Sequence, residues 1–178
     1  KLLKTLLNGY GMDKFGAQGP IEEFALALDI AQSFKGKGSL KLDILRKDKK
    51  ITVSLNVGTK YGSYSSTYPY KCQKSDKITK ELLEFLIDNQ QPNGSFGNQV
   101  DNLYAPLALM ASGNRKYSKA IKRNVYYQAE ITKDSDRMEG LINWKYMTAA
   151  IVISEYYLKN KDRKVIKELQ GIYDFLCK

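Results

Sequence analysis

Two segments of this chain leave almost no polar side if they are helical. Leu103, Ala105, Leu107, Ala108, Leu109, Met110 and Ala111 crowd one segment; Trp144, Met147, Ala149, Ala150, Ile151, Val152 and Ile153 crowd another, within about Leu141 to Leu158. A helix that is apolar all round must be covered on several sides. The segments around these two are amphipathic. Ile78, Leu82, Phe85 and Leu86 line one side between Asp76 and Asp88. Tyr117, Ile121, Val125 and Ala129 do so in about Lys116 to Ile131. Val165, Ile166, Leu169, Ile172, Phe175 and Leu176 do so in a last helix that opens at Asp162. The order amphipathic, buried, amphipathic, buried, amphipathic predicts an inner layer of helices wrapped by half-exposed outer ones. Asp76 to Tyr117 and Leu103 to Trp144 are each separated by about one helix pair, the register of a helical-hairpin repeat. Residues 76–178 are therefore expected to be all-α, about five helices, the fifth without its partner.

Local signals set the expected helix ends. Ser75 is placed to cap the first of these helices, with Asp76 in its first turn. Asn102 is the expected cap of the next, because proline is tolerated only in the first turn and Pro106 then falls inside it. Gly113 ends that helix.

Residues 1–57 read as an α+β unit. Pro20 sits well at a helix start, with Glu22 and Glu23 in the first turn. Ile21, Phe24, Ala25, Leu28 and Ala31 follow helical spacing toward a core, and Gly36 can stop the helix after Lys35. Leu40, Leu42 and Ile44 alternate with polar residues, as do Ile51, Val53, Leu55 and Val57. This predicts an antiparallel hairpin with its tip at Lys47 to Lys50. Residues 58–75 form a linker rich in Gly, Ser and Tyr; Tyr61, Tyr64, Tyr68 and Tyr70 are expected to bury their rings against the neighbouring unit.

Composition narrows the chemistry. The 178 residues contain no histidine, which removes the commonest general base and metal ligand and any Ser-His or Cys-His pair. Cys72 and Cys177 give neither a zinc spacing nor a disulfide framework. The net charge of +10 comes from scattered lysines, with one cluster at Arg46 to Lys50. This pattern argues for a solvated surface rather than nucleic-acid binding. The apolar run Tyr146 to Ile153 is too short to span a bilayer, which needs about 20 residues. A chain opening on Lys1 without Met fits N-terminal processing, which would favour an exported or periplasmic location. If these residues are the whole polypeptide, the unpaired fifth helix would find its partner in another subunit, giving an oligomer.

The stretch between the first two of the five helices carries a resemblance. Gln90/Gln91-Pro92-Asn93-Gly94-Ser95-Phe96-Gly97 resembles the glutamine-to-aromatic loop of α/α-toroid proteins: squalene and hopene cyclases, protein prenyltransferases and thioester-containing macroglobulins. In those proteins the loop closes a helix pair and its aromatic residue packs on the neighbouring helix. Asn93 stands where Asp is usual, and Phe96 where Trp is frequent. The resemblance gives Gln91, Gly94 and Phe96 structural roles; Trp144, in the apolar fourth helix, is expected to be structural too. The N-terminal helix and hairpin resemble the second half of a PDZ-like module, with the Pro20 to Phe34 helix beside a peptide groove; Phe24 and Leu28 are then its candidate lining. With Tyr68-Pro69-Tyr70-x-Cys72 and Ala108 to Gly113, most of the chain is similar to a family in which a PDZ-like module precedes such a toroid.

The resemblance implies little chemistry within these residues. Cyclases of this fold protonate with an Asp-rich motif; Asp134, Asp136 and Glu139 are the candidate acids at the toroid mouth. The prenyltransferase Asp/Cys/His zinc set cannot be built without His, and the macroglobulin Gly-Cys-Gly-Glu-Gln is missing. No catalytic, metal or cofactor residues are assigned, and no cofactor is expected. The expectation is a binding or scaffolding protein whose partner is a peptide or protein. The alternative is a carbohydrate- or isoprenoid-acting enzyme with its site at the toroid mouth.

Overall fold

The structure, a computed structural model, describes residues 19–133 and 142–177. Gly19–Gln32 is α1, and Ser39–Arg46 and Lys49–Asn56 are strands β1 and β2. Five more helices follow: α2 (Gln73–Asp88), α3 (Gln99–Ala111), α4 (Ser118–Ile131), α5 (Ile142–Asn160) and α6 (Ile166–Leu176). An α+β part thus precedes an all-α part, as the sequence predicts. Two compact units, Lys1–Lys80 and Glu81–Lys178, divide the chain, and the division falls within α2. Among the described residues no helix is long and apolar enough to cross a membrane.

In the first unit the hairpin has the expected pairing. Leu40 faces Leu55, Leu42 faces Val53 and Ile44 faces Ile51, so both apolar sets lie on one side. The tip is two residues rather than four. Lys47 and Asp48 both take positive φ (49° and 58°), the turn whose twist matches that of the strands. α1 packs against β1, yet only Ala31 of the expected stripe is buried. Leu28 is half-buried, and Ile21, Phe24 and Ala25 are exposed, because a two-stranded sheet is too narrow to cover a helix of 14 residues. α1 ends at Gln32 rather than Lys35; the Ser33 hydroxyl donates back to Ile30 O at 2.6 Å and accepts from Gly36 N–H at 3.0 Å.

The segment after the hairpin is tied down by backbone and charge rather than by its rings. Tyr64, Tyr68 and Tyr70 are exposed. Asp29 Oδ1 on α1 accepts from the Tyr64 amide (3.1 Å) and from Lys74 Nζ (2.7 Å), whose side chain is buried. Lys74 also donates to Gln32 Oε1 at 2.9 Å.

The second unit holds the main core. α3 and α5 pack side by side, α4 packs against both, and α6 packs against α5. Leu83, Leu109, Val125, Tyr146, Val152, Ile153, Val165 and Ile172 are among its buried members. On α2 the buried side is Leu83 with Leu86 and Ile87, not Leu82 and Phe85, which are exposed. Leu86 belongs to both the expected stripe and the observed one, since neighbours three and four positions apart share a helix side, and packing turns the helix toward Leu83 and Ile87.

The turns into α4 and α6 are one structure used twice. Gly113 and Lys161 both have positive φ (66° and 55°). The next residue, Asn114 or Asp162, accepts the backbone N–H of Lys116 or Lys164 at 3.1 Å. Arg-Lys then enters a short 3-10 turn, closed by a buried Tyr117 or Val165. Arg115 and Arg163 stand 48 positions apart, so Leu103 is matched by Ile151 and not by Trp144. Helix α5 has 19 residues against 13 in α3, and Trp144 falls in the overhang.

Candidate functional site

The loop between α2 and α3 fixes α3 through a buried polar cluster. Gly94 takes φ +96°, and a Cβ there would stand 2.5 Å from Arg123 O, so the loop lies directly on the α4 backbone. Gln90 Nε2 donates to Gly94 O (3.0 Å) and to Ala120 O (2.9 Å). The side-chain clamp is therefore Gln90. Gln91, the expected residue, is exposed and contributes its backbone: its amide donates to Ser95 O, and its carbonyl accepts from Gly94 N–H and Arg123 Nη2. Phe96 is half-buried against the core, with its amide donated to Asn102 Oδ1 at 2.9 Å.

Asn102 is not the cap of α3. Asn98 is, in a capping box with Asp101, which leaves Asn102 buried inside the helix and Pro106 in its middle. Proline has no amide to donate to the carbonyl four residues back, which here is Asn102 O. Gln128 Nε2 on α4 fills that place at 2.8 Å and also donates to Asn124 Oδ1 at 2.7 Å. Asn124 Nδ2 donates to Asn102 Oδ1 (2.7 Å) and to Gly94 O (3.0 Å), closing the cluster.

Held in this way, α3 and α5 present an apolar surface to solvent. Val100, Tyr104, Ala108 and Ala111 lie on one side of α3 at helical spacing and are exposed; so are Trp144, Met147, Ile151 and Leu158 on α5. Tyr104 is 65% exposed and Met147 54%. The expectation that these helices are covered all round is corrected: each has a buried side and an uncovered one. Toward their C-terminal ends lies a groove of about 560 Å³, lined by Leu107, Met110, Ala111, Glu155, Leu158 and Lys159. Lys159 Nζ donates to Met110 O at 2.7 Å, bridging the two helices at its edge. The arrangement offers apolar area flanked by one acid and one amine, which suits binding an amphipathic partner.

Other polar groups have specific settings. Asp162 Oδ2 accepts from the hydroxyls of Tyr126 (2.9 Å) and Tyr156 (3.2 Å). These bonds and the Lys164 amide hold the Asp162 carboxyl below its usual range; burial, then the nearby carboxylate, pushes Tyr156 up to about 12. A second cavity, about 510 Å³ and lined by Thr132, Lys133, Tyr146, Lys167, Glu168 and Gly171, lies among α4, α5 and α6; Glu168 Oε2 is buried there without a hydrogen-bond partner. Cys72, buried just before α2, accepts from the Ser65 amide at 3.4 Å. Hydrogen bonds from Ser75, then Ser65, hold its thiol down to about 6. Ser75, the expected cap, lies inside α2. Among the described residues no group of three or more Cys, Asp or Glu could hold a metal ion.

The candidate groove residues Phe24 and Leu28 are exposed and half-buried on α1. Asp134, Asp136 and Glu139 lie outside the described residues. The α3/α5 face was missed as a site because apolar residues all round a helix read as core. Its signal was present in the spacing Trp144, Met147, Ile151, Leu158, which keeps to one side.

A family described as a domain of unknown function, DUF6288, matches residues 75–177, more than half of the chain. This chain belongs to the DUF6288 family. The DUF6288 match takes in all of α3 to α6, and so both the polar cluster and the exposed face. No curated protein and no solved structure matches the chain.

Proposed function

We propose that this chain is a binding or scaffolding protein in which a PDZ-like half module precedes part of an α/α toroid, and that its partner docks on the exposed face of α3 and α5. The partner is a peptide or protein segment with apolar side chains at helical or alternating spacing. One observation carries the reading: large apolar residues on two neighbouring helices remain uncovered, while the backbone of one of them, α3, is fixed by a buried polar cluster. Contiguous exposed apolar area of this kind marks interaction surfaces. The alternation of inner helices α3 and α5 with α2, α4 and α6 supports the toroid likeness, and the α1–hairpin order supports the PDZ likeness.

Trp144 is the single tryptophan of the chain and sits on this face, so its emission reports occupancy. Peptides selected from a displayed library against the chain should shift Trp144 emission to the blue. They should lose binding to Met147→Glu and Ile151→Glu. Binders that leave the emission unchanged, or that ignore both substitutions, would place the functional surface elsewhere.

A further inference from the structure

The two matched turns share a backbone path and differ in what stands on it. Counting 48 positions on, Gly113, Asn114, Ser118 and Lys122 correspond to Lys161, Asp162, Ile166 and Gln170. Asn114 and Asp162 make the same bond to the amide two residues on, at 3.1 Å, so the cap does not demand a neutral residue. Lys161 takes the same left-handed φ as Gly113 (55° and 66°), so the turn does not demand glycine. Against the second turn, the first has a neutral cap in place of an acid and an open position in place of a long side chain. It also has a hydroxyl and an amine in place of Ile166 and Gln170.

These differences surround one cavity. It holds about 480 Å³ and lies among the end of α3, the start of α4 and the end of α5. Arg115 from the turn, Lys122 from α4 and Lys159 from α5 line it, and among the described residues no Asp or Glu does. None of the three forms an ion pair among the described residues, whereas the neighbouring Lys116 is paired with Glu84. Asp162 lies near Lys122, but its oxygens accept from Tyr126, Tyr156 and the Lys164 amide. Lys159 gives one of its three protons to Met110 O at 2.7 Å. Asn114 Nδ2 and Ser118 Oγ have no partner among the described residues. The floor is apolar: Leu109, Ile121 and Tyr156 are buried. A Cβ at Gly113, in the cavity wall, would meet nothing within 4 Å, so the wall is open there. Three like charges held round one space repel one another, and an anion among them relieves the repulsion.

We propose that this cavity binds a small organic phosphate. The phosphate dianion sits among Arg115, Lys122 and Lys159, and an apolar body, a ring or a short chain, lies against Leu109, Ile121 and Tyr156. A guanidinium fork and two ammonium groups match the oxygens of a phosphate, and Asn114 Nδ2 and Ser118 Oγ add neutral donors. The site is independent of the peptide face. It shares Met110 and Lys159 with the groove there, but its walls include α4. Helix α6, the last described, lends it no residue.

Titration of the isotope-labelled 178-residue chain with phenyl phosphate tests this, followed by amide chemical shifts at fixed pH and ionic strength. Saturable shifts are expected at Gly113 to Ser118 and around Lys159, with the hairpin-tip amides, Lys47 to Lys50, unmoved. Phenol, which lacks the charge, should bind at least about tenfold more weakly. Inorganic phosphate, which lacks the ring, should move the same amides and bind more weakly than phenyl phosphate. Asn114→Asp keeps the cap bond that the second turn makes, so its circular dichroism should be unchanged. It sets a carboxylate beside the phosphate and should abolish saturation. Arg115→Gln should weaken binding at least about fivefold. Shifts that never saturate, or that spread over all the lysines, would overturn the proposal, as would binding that survives both substitutions. Binding to phosphatidic acid vesicles with none of phenyl phosphate would assign the chemistry to a membrane surface and overturn it as well.

Discussion

Gln128 on α4 donates its side-chain amide to the backbone carbonyl of Asn102 on α3 at 2.8 Å. That carbonyl is the acceptor an ordinary α3 would fill from residue 106, and residue 106 is proline. The contact therefore satisfies a backbone group from outside its own helix, and it locks an inner helix to an outer one.

Gln128→Leu keeps the size of the side chain but leaves buried acceptors on Asn102 and Asn124 unmet. It should cost about 2 kcal/mol in urea unfolding. In the background of Pro106→Ala, where the new amide can reach Asn102 O, the same substitution should cost at least about 1 kcal/mol less. Equal costs in both backgrounds would mean that the proline gap is not what Gln128 fills.

Gly94 and Gly113 both take positive φ (96° and 66°), but only Gly94 is hemmed in. A Cβ at Gly94 meets Arg123 O at 2.5 Å and Arg123 C at 2.8 Å; one at Gly113 meets nothing within 4 Å. Gly113→Ala should cost about 1 kcal/mol, the ordinary left-handed penalty. Gly94→Ala should cost at least about 2 kcal/mol more, since α4 backbone must move. Denaturant midpoints of the two variants, compared at equal slope, decide it.

The Cys72 thiol is held down to about 6 from an ordinary 9.0. A group whose folded value is depressed adds stability that is complete above the unfolded value and lost as pH falls through the folded one. Stability should therefore rise between pH 6 and pH 9, and this rise should be absent in Cys72→Ala. In a Cys177→Ser background, thiolate ultraviolet absorbance should titrate near 6. A thiol titrating near 9 would remove the prediction.

Asp162 and Tyr156 predict opposite limbs. The Asp162 carboxyl is depressed, so its contribution is present above an ordinary 3.8 and lost as pH falls through its lower folded value. The melting gap between the native chain and Asp162→Asn should narrow there. Tyr156 is raised from 10.0 to about 12, so its contribution is full below 10 and lost as pH rises through 12. Phenolate absorbance should show a late titration near 12 that is lost in Tyr156→Phe.

The hairpin, its face pairing and all five later helices were readable in the sequence, because alternation and three-to-four spacing report burial directly. Every member of the apolar stripe expected there is buried: Tyr117 in the 3-10 turn and Ile121, Val125 and Ala129 on α4. What was not readable has identifiable causes. The Asn98–Asp101 box competes with Asn102 as a start signal, and only the distant Gln128 makes Pro106 tolerable inside α3. Two adjacent glutamines made the clamp ambiguous, and Gln90 rather than Gln91 points inward. The exposed face of α3 and α5 could not be told from core, because sequence states which residues are apolar and not whether a neighbour is present to cover them.

The matched turns at Asn114 and Asp162 bear on how a gene for such a protein can change. The backbone path of each turn is set by its own five or so residues, and no bond of one turn reaches into the other. Duplication or loss of a whole hairpin would leave every remaining turn intact and alter the fold only at its edges. A deletion of a few codons within a hairpin would instead shift the register of a buried helix. Length variation among related sequences should accordingly come in hairpin-sized steps.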